Sequence, residues 1–511
     1  MKTKKLISVM LLICVVLSVL SALSALSIFS SCAKNDAAAP TQNNAGDSDN
    51  SPADNFGNVT ETPTEESFDP GLPEADYGNY LFRILNITQA DMWWAIVDAD
   101  ITEQTGEVVE DAIYLRNRNI EDRYKFLIKE IRMSRSALTT AVKKSVGSGG
   151  DDYDVALPYI SDIPGLVQNN LLVDLKKVPH LDFNKPWWTN DVSRYFSIGN
   201  KLVFSMSDIL LTDNDDVVIT MYNKKMAEDL GLDGADALYN LVDQGKWTFD
   251  KFAELTKAAW ADLNGNGKVD PKEDRFGLVC VSWLYNALIG GFDEYLVSKD
   301  ENDLPYLSCK SESFLRAYQT MAEFMSNREW VVREGDDSIG GTGRTEEVFV
   351  NDRALMCIQV LSCCRLYREM GSDFGILPMP KLDENQAKYC SYMCGSTCIS
   401  IPKTNNNLDR TGLILEALSA ESRRLVIPAY YDVALSAKYL RDERSYDMLD
   451  IILDNRVYDI CGTIYDWGGF SGQVAALAKK NDPNFASLIE KNEGKVEKAI
   501  IKTIEAYEAV E

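Results

Sequence analysis

A twelve-residue segment carries oxygen-bearing side chains at the spacing that a calcium ion requires. Such side chains stand at its positions 1, 3, 5 and 9, a glycine that permits a sharp turn stands at position 6, and a glutamate closes it. Calcium takes roughly six to eight oxygen ligands, so short side chains on alternate residues and a bidentate glutamate can surround it. The predicted ligands are Asp262, Asn264, Asn266, the Lys268 carbonyl, Asp270 and Glu273. We expect one structural calcium site at 262–273; the alternative is a polar surface turn.

Cys32 is a second residue whose surroundings predict chemistry. Basic residues near the start precede an apolar stretch over 6–29, and small residues separate that stretch from the cysteine. This order describes a secretory signal, and a cysteine directly after it resembles the lipobox of bacterial lipoproteins. We therefore expect residues 1–31 to be a lipoprotein signal peptide, and Cys32 to anchor the chain by lipid at the extracellular face of the cell membrane. The alternative is an uncleaved transmembrane helix, because about 20 apolar residues can span a bilayer.

Composition predicts a spacer after this cysteine and argues against nucleic acid as a partner. Residues 32–77 are rich in Asn, Asp, Ser, Thr, Pro and Ala and poor in residues that build a core, so we expect a disordered tether. The formal net charge is -26, and the sequence has no cluster of lysines and arginines that could hold a phosphate backbone. We expect no binding to nucleic acid.

The residue patterns of several common enzyme classes are missing. A glycoside hydrolase needs two carboxylates about 5 to 10 Å apart, and no pair stands out among the 78 acidic residues. The one histidine, His180, lies in a Val-Pro-His-Leu context that favours a surface turn. The sequence has no Gly-x-Ser-x-Gly elbow, P-loop or dinucleotide fingerprint. It therefore favours a role without catalysis.

The cysteines that follow Cys32 do not have the spacing of a zinc site. Cys390, Cys394 and Cys398 are separated by three residues, whereas zinc sites commonly use Cys-x-x-Cys units. Cysteine is often a small buried residue, and we expect that role here. The sequence leaves the disulfide state of these residues open.

The segments on either side of the calcium-type loop predict the elements that position it. Thr248 is a candidate N-cap for an amphipathic helix that runs to Trp260, with Trp247 and Phe252 as a hydrophobic staple. The apolar run 276–279 predicts a strand after the loop. Similar runs alternate with amphipathic stretches along the chain, which is typical of α/β layers with mostly parallel strands. About 430 residues exceed what one hydrophobic core organises, so we expect two lobes.

This region also resembles a known family. Trp247-Thr-Phe-Asp, a helix, the calcium-type loop and Arg275-Phe-Gly-Leu together look like the middle of the family 1 extracellular solute-binding proteins that serve carbohydrate ABC importers. Other segments match the same template in the same order, and the resemblance covers nearly all of 78–511. These segments are 112–124, 153–158, 218–224, 374–381, 395–402 and 429–431.

The resemblance implies a fold and a function. The implied fold is α/β and periplasmic-binding-protein-like type II, with two lobes joined by a hinge and a ligand cleft between them. Lobe 1 is expected to comprise 78–217 and 394–430, and lobe 2 to comprise 218–393 and 431–511. The implied function is that of a monomeric protein that captures a carbohydrate, in particular an oligosaccharide, and delivers it to an ABC transporter permease. The alternatives are a cell-surface carbohydrate-active hydrolase and a solute-binding component of a sensor or adhesion system.

A carbohydrate ligand suggests which residues line the cleft. Flat sugar faces stack on aromatic rings, and hydroxyl groups need fixed donors and acceptors, so we expect such residues in loops that follow strands. The candidate ligand-binding residues are Trp93, Trp94, Tyr159, Asp208, Trp283, Asn286 and Trp467. Trp187 and Trp188 follow a proline and are expected to be mainly structural.

Overall fold

The computed structural model describes most of the chain after residue 67. The described ranges are 68–189, 192–232, 234, 236–281, 285–327, 329–333, 345–367, 369–434, 442–480 and 482–511. The predicted signal peptide, Cys32, residues 32–67 of the predicted tether and Trp283 lie outside the described residues.

One sheet contains three parallel strands in the order β2-β1-β3. These strands are β1 (Tyr80–Ile87), β2 (Phe126–Met133) and β3 (Val155–Ala156). In the register, Phe82 lies beside Ile128 and Leu85 beside Ala156. The latter half of β1 is buried, which suits its run of aliphatic side chains in the middle of a parallel sheet.

The second sheet has five strands in the order β10-β4-β9-β5-β8. Its strands are β4 (Val218–Asn223), β5 (Phe276–Cys280), β8 (Val331–Arg333), β9 (Ala354–Val360) and β10 (Phe374–Leu377). β5 runs parallel to both β8 and β9, whereas β4 is antiparallel to its neighbours β9 and β10. Every residue of β4, β5 and β9 is buried, as expected of central strands covered on both faces. Two short pairs complete the described strands: β6 (Val297–Lys299) with β7 (Pro305–Leu307), and β11 (Ser391–Tyr392) with β12 (Arg456–Val457).

Helices connect and cover these strands. In chain order they are α1 (Val108–Tyr124), α2 (Arg135–Gly147), α3 (Ile163–Val167), α4 (Val192–Phe196), α5 (Thr212–Asp215), α6 (Lys224–Asp229), α7 (Ala237–Asp243), α8 (Phe249–Ala259), α9 (Tyr285–Gly291), α10 (Glu312–Met325), α11 (Thr345–Val350), α12 (Cys363–Leu366), α13 (Leu408–Ala434), α14 (Arg444–Asp454), α15 (Phe470–Lys479) and α16 (Phe485–Glu508). Short 3₁₀ turns occur at Gln89–Asp91, Ile160–Asp162 and Leu175–Lys177, and a π-helix spans Ile460–Tyr465. Among the helices of the described ranges, none is long and apolar enough to cross a membrane.

The helix predicted before the calcium-type loop is present as α8. Thr248 is extended and occupies the N-cap position, although its side chain makes no capping hydrogen bond. The Trp247 and Phe252 rings meet edge to face at 5.9 Å, as the predicted staple requires. The helix therefore begins where the sequence placed it, and its first turn is fixed by aromatic packing.

The chain passes between the two sheets at adjacent places. Val217, immediately before β4, forms an antiparallel bridge with Met393. Beyond Met393, Thr397 pairs with Tyr159 and Ser400 with Ala156, which extends the first sheet. The segments at 216–217 and 393–394 thus lie side by side where the chain leaves one sheet for the other.

Residues 68–77 pack against the rest of the protein, which the sequence did not predict. Residues 68–77 were expected to belong to the tether, but the structure places Leu72, Ala75 and Tyr77 against the hydrophobic core. The Tyr77 amide also donates to the Tyr124 carbonyl at 2.9 Å. Polar composition concealed these contacts, because only a few apolar side chains in the segment make them.

Trp187 and Trp188 are structural, as expected. Both side chains are buried, and their indole Nε1 atoms donate to the two carboxylate oxygens of Glu416 at 2.9 and 2.8 Å. Glu416 also accepts from the Asp182 amide at 3.3 Å. One buried carboxylate on α13 therefore holds the turn that carries both tryptophans.

Candidate functional site

A cavity of about 460 Å³ is lined by residues that follow strands of both sheets. A volume of this size suits a small organic ligand. The described lining residues are Trp93, Trp94, Tyr159, Asp216, Val281, Asn286, Gln359, Val360, Cys363, Tyr392, Cys394 and Gly462.

The first sheet contributes aromatic rings to this cavity. Trp93 and Trp94 follow β1, and their rings meet edge to face with centroids 5.9 Å apart. Trp93 is 60% exposed, so most of its indole is available for contact with a ligand. Tyr159 follows β3, and the Arg135 guanidinium lies 4.3 Å from the centre of its ring. Three aromatic side chains thus stand at the carboxyl ends of parallel strands.

The second sheet contributes polar groups from the same kind of position. Val281 and Asn286 follow β5, and Gln359 and Val360 end the parallel strand β9. Ligands of open α/β sheets bind in the crevice beyond the carboxyl ends of the strands. Lining residues from both sheets obey this rule.

Asp216 is the one carboxylate among the lining residues in the described part of the chain. It is only 1% exposed, and its Oδ1 accepts a hydrogen bond of 2.7 Å from Trp94 Nε1. Its Oδ2 is also buried and has no hydrogen-bond partner among the described residues. Burial raises the pKa of Asp216 well above its usual range, and the adjacent Asp215 charge raises it further, while the Trp94 hydrogen bond opposes both. The carboxyl group is therefore held by an indole on one oxygen and left without a bond on the other.

The neighbouring aspartate, Asp215, is fully bonded. Its carboxylate accepts from Arg365 at 2.6 and 3.1 Å, from the Tyr430 hydroxyl at 2.8 Å and from the Ile96 amide at 2.7 Å. Arg365 also donates to the Trp94 carbonyl at 2.9 Å. Buried charges persist in proteins when they are paired and hydrogen-bonded in this way. Asp215 therefore fixes the Trp94 loop, α12 and α13 to one another behind the cavity.

Two glycines keep the cavity wall open. A Cβ atom on Gly395 would lie 1.7 Å from the Tyr159 hydroxyl oxygen, so this ring can stand where it does only beside glycine. A Cβ atom on Gly462, in the π-helix, would lie 2.8 Å from the Tyr392 hydroxyl oxygen. π-helical turns are frequent at functional sites, and this one brings backbone to the cavity surface.

The structure brings together four of the seven predicted ligand-binding residues: Trp93, Trp94, Tyr159 and Asn286. Asp208 is elsewhere, with its Oδ2 3.6 Å from Arg423. Trp467 is buried, stacks on Tyr465 with ring centres 5.0 Å apart and donates from Nε1 to Thr503 at 2.9 Å. Neither is among the described lining residues of the cavity.

Several lining residues were not predicted. Asp216, Gln359 and Tyr392 lie at strand ends or crossings, where the sequence alone offers no reason to separate them from other polar residues. A signal did exist for Asp216, because three acidic residues, Asp213, Asp215 and Asp216, stand directly before an apolar strand. The acid predicted to contact the ligand was Asp208, which lies eight positions earlier in the sequence.

Two cysteines also reach the cavity. Cys394 and Cys363 are lining residues, and the Cys394 thiol lies 3.3 Å from the Asp216 carbonyl oxygen. Burial raises the pKa of Cys394 well above its usual range, so the thiol stays protonated. Cys390, Cys394 and Cys398 carry free thiols, and Cys390 and Cys398 are buried.

The predicted calcium loop lies between α8 and β5, and none of its residues is among the described lining residues of the cavity. Asp262 accepts from the amides of Gly265 and Gly267, both at 2.8 Å, and the Asn264 side chain donates to Glu273. The first and last parts of the loop therefore converge, which is compatible with a calcium ligand set. In the described ranges, no group of three or more His, Cys, Asp or Glu side chains is arranged to hold a metal ion. The calcium site stays a prediction.

Comparisons with known proteins identify the fold. No protein-family model and no curated protein sequence matches the chain. Solved structures do match. A cyclo/maltodextrin-binding protein complexed with maltotetraose is 13% identical, with a TM-score of 0.52 over 84% of this chain and 96% of that one. RafE from Streptococcus pneumoniae is 15% identical, with a TM-score of 0.51 over 85% of this chain and 99% of that one.

A third similar structure is the cyclic alpha-maltosyl-1,6-maltose binding protein from Arthrobacter globiformis. It is 13% identical, with a TM-score of 0.51 over 84% of this chain and 99% of that one. Identities of this size show a common fold and nothing more. The chain has the type II periplasmic-binding-protein fold that the resemblance implied.

Proposed function

We propose that this chain is the carbohydrate-binding component of an ABC importer, which captures an oligosaccharide and delivers it to a membrane permease. The observation that supports this most is the cavity itself. It sets two indole rings beside a buried carboxylate oxygen that lacks a partner, at the carboxyl ends of strands from both sheets. Indole rings suit sugar faces and the carboxylate suits hydroxyl donors.

The structural neighbours support the same ligand class. One was solved with maltotetraose, and another is named for binding a cyclic maltosyl-maltose. We extend the oligosaccharide from those proteins to this chain as a proposal, because the shared fold does not fix the ligand.

The cavity favours binding over catalysis. Hydrolysis of a glycosidic bond commonly uses two carboxyl groups that flank it. Asp216 is the single carboxylate among the lining residues in the described part of the chain. Asp215, the nearest acid in sequence, is occupied by Arg365, Tyr430 and Ile96. We therefore propose that the protein performs no chemistry on its ligand.

A saccharide screen with a matched pair of variants tests the proposal. Binding to the folded state alone raises stability, by about 2.7 kcal/mol when the ligand is at a hundred times its Kd. We expect at least one neutral oligosaccharide to raise the Tm of the wild-type protein. Trp93→Ala should weaken binding about tenfold without loss of stability, because this ring is 60% exposed.

Tyr306→Ala is the control for this screen. Tyr306 is also a large exposed aromatic residue, at 49%, but it is not among the described lining residues. Its replacement should leave saccharide affinity unchanged, as measured by calorimetric titration. A protein whose Tm responds to peptides and to no saccharide would contradict the proposal, and release of shorter sugars would favour a hydrolase instead.

We further propose two features that support this role. The resemblance to a lipobox supports lipid attachment at Cys32, which would hold the protein at the extracellular face of the membrane near its permease. The spacing of oxygen side chains and the convergence of Asn264 and Glu273 support calcium binding at 262–273. That ion would brace the connection between α8 and β5.

A further inference from the structure

The charge of the cavity wall is one-sided. Of the twelve described residues that line the cavity, Asp216 is the only one with a charged side chain, and none is Lys, Arg or His. The nearby guanidinium groups are already engaged. Arg365 is paired with Asp215 and the Trp94 carbonyl, and Arg135 with Asp162 at 2.8 Å. The described wall thus offers a ligand one acid and no base.

The acid also has an unfilled hydrogen-bonding position. Oδ1 of Asp216 receives the Trp94 indole, whereas Oδ2 is buried without a partner among the described residues. Buried polar atoms in folded proteins nearly always have a partner, and an exception calls for an explanation. A donor supplied by a ligand would be such a partner, since Asp216 and Trp94 both line the cavity.

We infer that the cavity selects saccharides by charge: it accepts those that present a hydroxyl or protonated amine to Asp216 and rejects those that carry an acid group. This inference rests on the proposed function and deepens it. A ligand ammonium would supply the positive charge that the described wall lacks, and a hydroxyl would supply the missing hydrogen bond.

An acidic sugar would bind in this cavity less favourably. Its carboxylate would lose water on entry and would find no described Lys, Arg or His on the wall to replace that water. A site that leaves the charge of a competing ligand unpaired rejects that ligand without any loss of affinity for the preferred one.

Matched oligosaccharides test the inference with the full chain. One series consists of β-1,4-linked trimers of glucose, glucosamine and glucuronic acid, and a second of α-1,4-linked trimers of glucose and galacturonic acid. Calorimetric titration at constant ionic strength should show that the acidic trimer binds at least tenfold more weakly than its neutral counterpart. The glucosamine trimer should bind at least as tightly as the glucose trimer.

Asp216→Asn isolates the responsible group. Asparagine keeps an oxygen for the Trp94 indole but cannot ionise, so the difference in affinity between neutral and acidic trimers should shrink at least threefold. Asp174→Asn is the control: Asp174 is also buried, accepts from the Lys176 and Leu202 amides, and is not among the lining residues described. This control should keep the wild-type discrimination.

The outcomes separate the two proposals. If the wild-type protein binds acidic and neutral trimers equally, or if Asp216→Asn folds and discriminates as the wild type does, selection by charge is wrong while saccharide binding stands. If no saccharide of any charge binds, the proposed function fails and this inference fails with it. The comparison of trimers on the wild-type protein tests selection by charge even if the variant does not fold.

Discussion

Glu416 shows how a single buried acid can organise a surface turn. It is 1% exposed on α13, and both of its oxygens accept from indole nitrogens, those of Trp187 and Trp188. Burial raises the pKa of Glu416, and the two indole hydrogen bonds work against that rise. The residue contributes to stability because two buried N–H groups depend on it.

Glu416→Ala should therefore be strongly destabilising. The substitution leaves two buried indole N–H groups unpaired, and each such loss costs about 1–3 kcal/mol. We expect the free energy of unfolding to fall by roughly 3 kcal/mol, measured by urea denaturation followed by tryptophan fluorescence.

Glu421→Ala is the comparison on the same helix. Glu421 bonds to Asn119 and Arg424 near the surface, where such pairs contribute less than about 1 kcal/mol. If both variants lose the same free energy of unfolding, the hydrogen bonds from the indoles to Glu416 do not stabilise the protein more than a surface pair does.

The residues of the site that could be predicted from the sequence are those that follow one physical rule. Aromatic and amide side chains in loops after strands were expected to reach a cleft, and Trp93, Trp94 and Asn286 do so. Asp216 was missed because its importance comes from burial and from an unfilled hydrogen bond, which only packing reveals. Its neighbour Asp215 has the same side chain, but both of its oxygens accept hydrogen bonds. Residue type alone therefore could not distinguish the two.

At the scale of elements, the calcium-type loop is self-contained. Ala261 and Arg275 exchange backbone hydrogen bonds of 3.0 and 3.1 Å at its base. Asp274, which is fully buried, accepts from the amides of Leu263 and Asp270 inside it. The loop thus keeps its turn through its own polar side chains, and a bound ion would add to an arrangement already formed.

Calcium should bind this loop with a stoichiometry near one. Titration of chelator-treated protein in a calorimeter is expected to show one site and an accompanying rise in Tm. Glu273→Gln should weaken binding at least tenfold, because the loop then loses its bidentate carboxylate.

Glu254→Gln, on the exposed surface of α8, is the matched control and should bind as the wild type does. Absence of both heat and a Tm shift in the wild-type protein would mean that 262–273 is only a polar turn.

Element boundaries followed the sequence closely where local chemistry is strong. The helix expected from Thr248 to Trp260 spans Phe249–Ala259, because an aromatic staple and an apolar face both specify it. The π-helix Ile460–Tyr465 could not be foreseen, since its geometry depends on packing rather than on a local pattern.

At the scale of the whole molecule, tethering would determine where binding takes place. A lipid on Cys32 would confine the protein to the membrane surface, and the polar residues after it would act as a spacer. The proposed binding protein would then remain close to its permease instead of diffusing away with the ligand.

Replacement of the predicted lipid site tests this arrangement. In a bacterial host that processes lipoproteins, the wild-type protein should partition with membranes and Cys32→Ser should be released into the soluble fraction. Cys14→Ser, which alters the other cysteine of the leading segment, should stay with membranes. Membrane retention of Cys32→Ser would instead favour an uncleaved helix.

The bonds to Asp215 have a consequence for how the chain folds. This one carboxylate joins Ile96, Arg365 and Tyr430, which are separated from it by 119, 150 and 215 positions in sequence. Contacts between such distant positions slow folding, because the ends of long loops must meet before any bond rewards them. The cavity therefore cannot be completed by an amino-terminal fragment during synthesis, because Tyr430 must first reach Asp215 and Gly462 must join the wall.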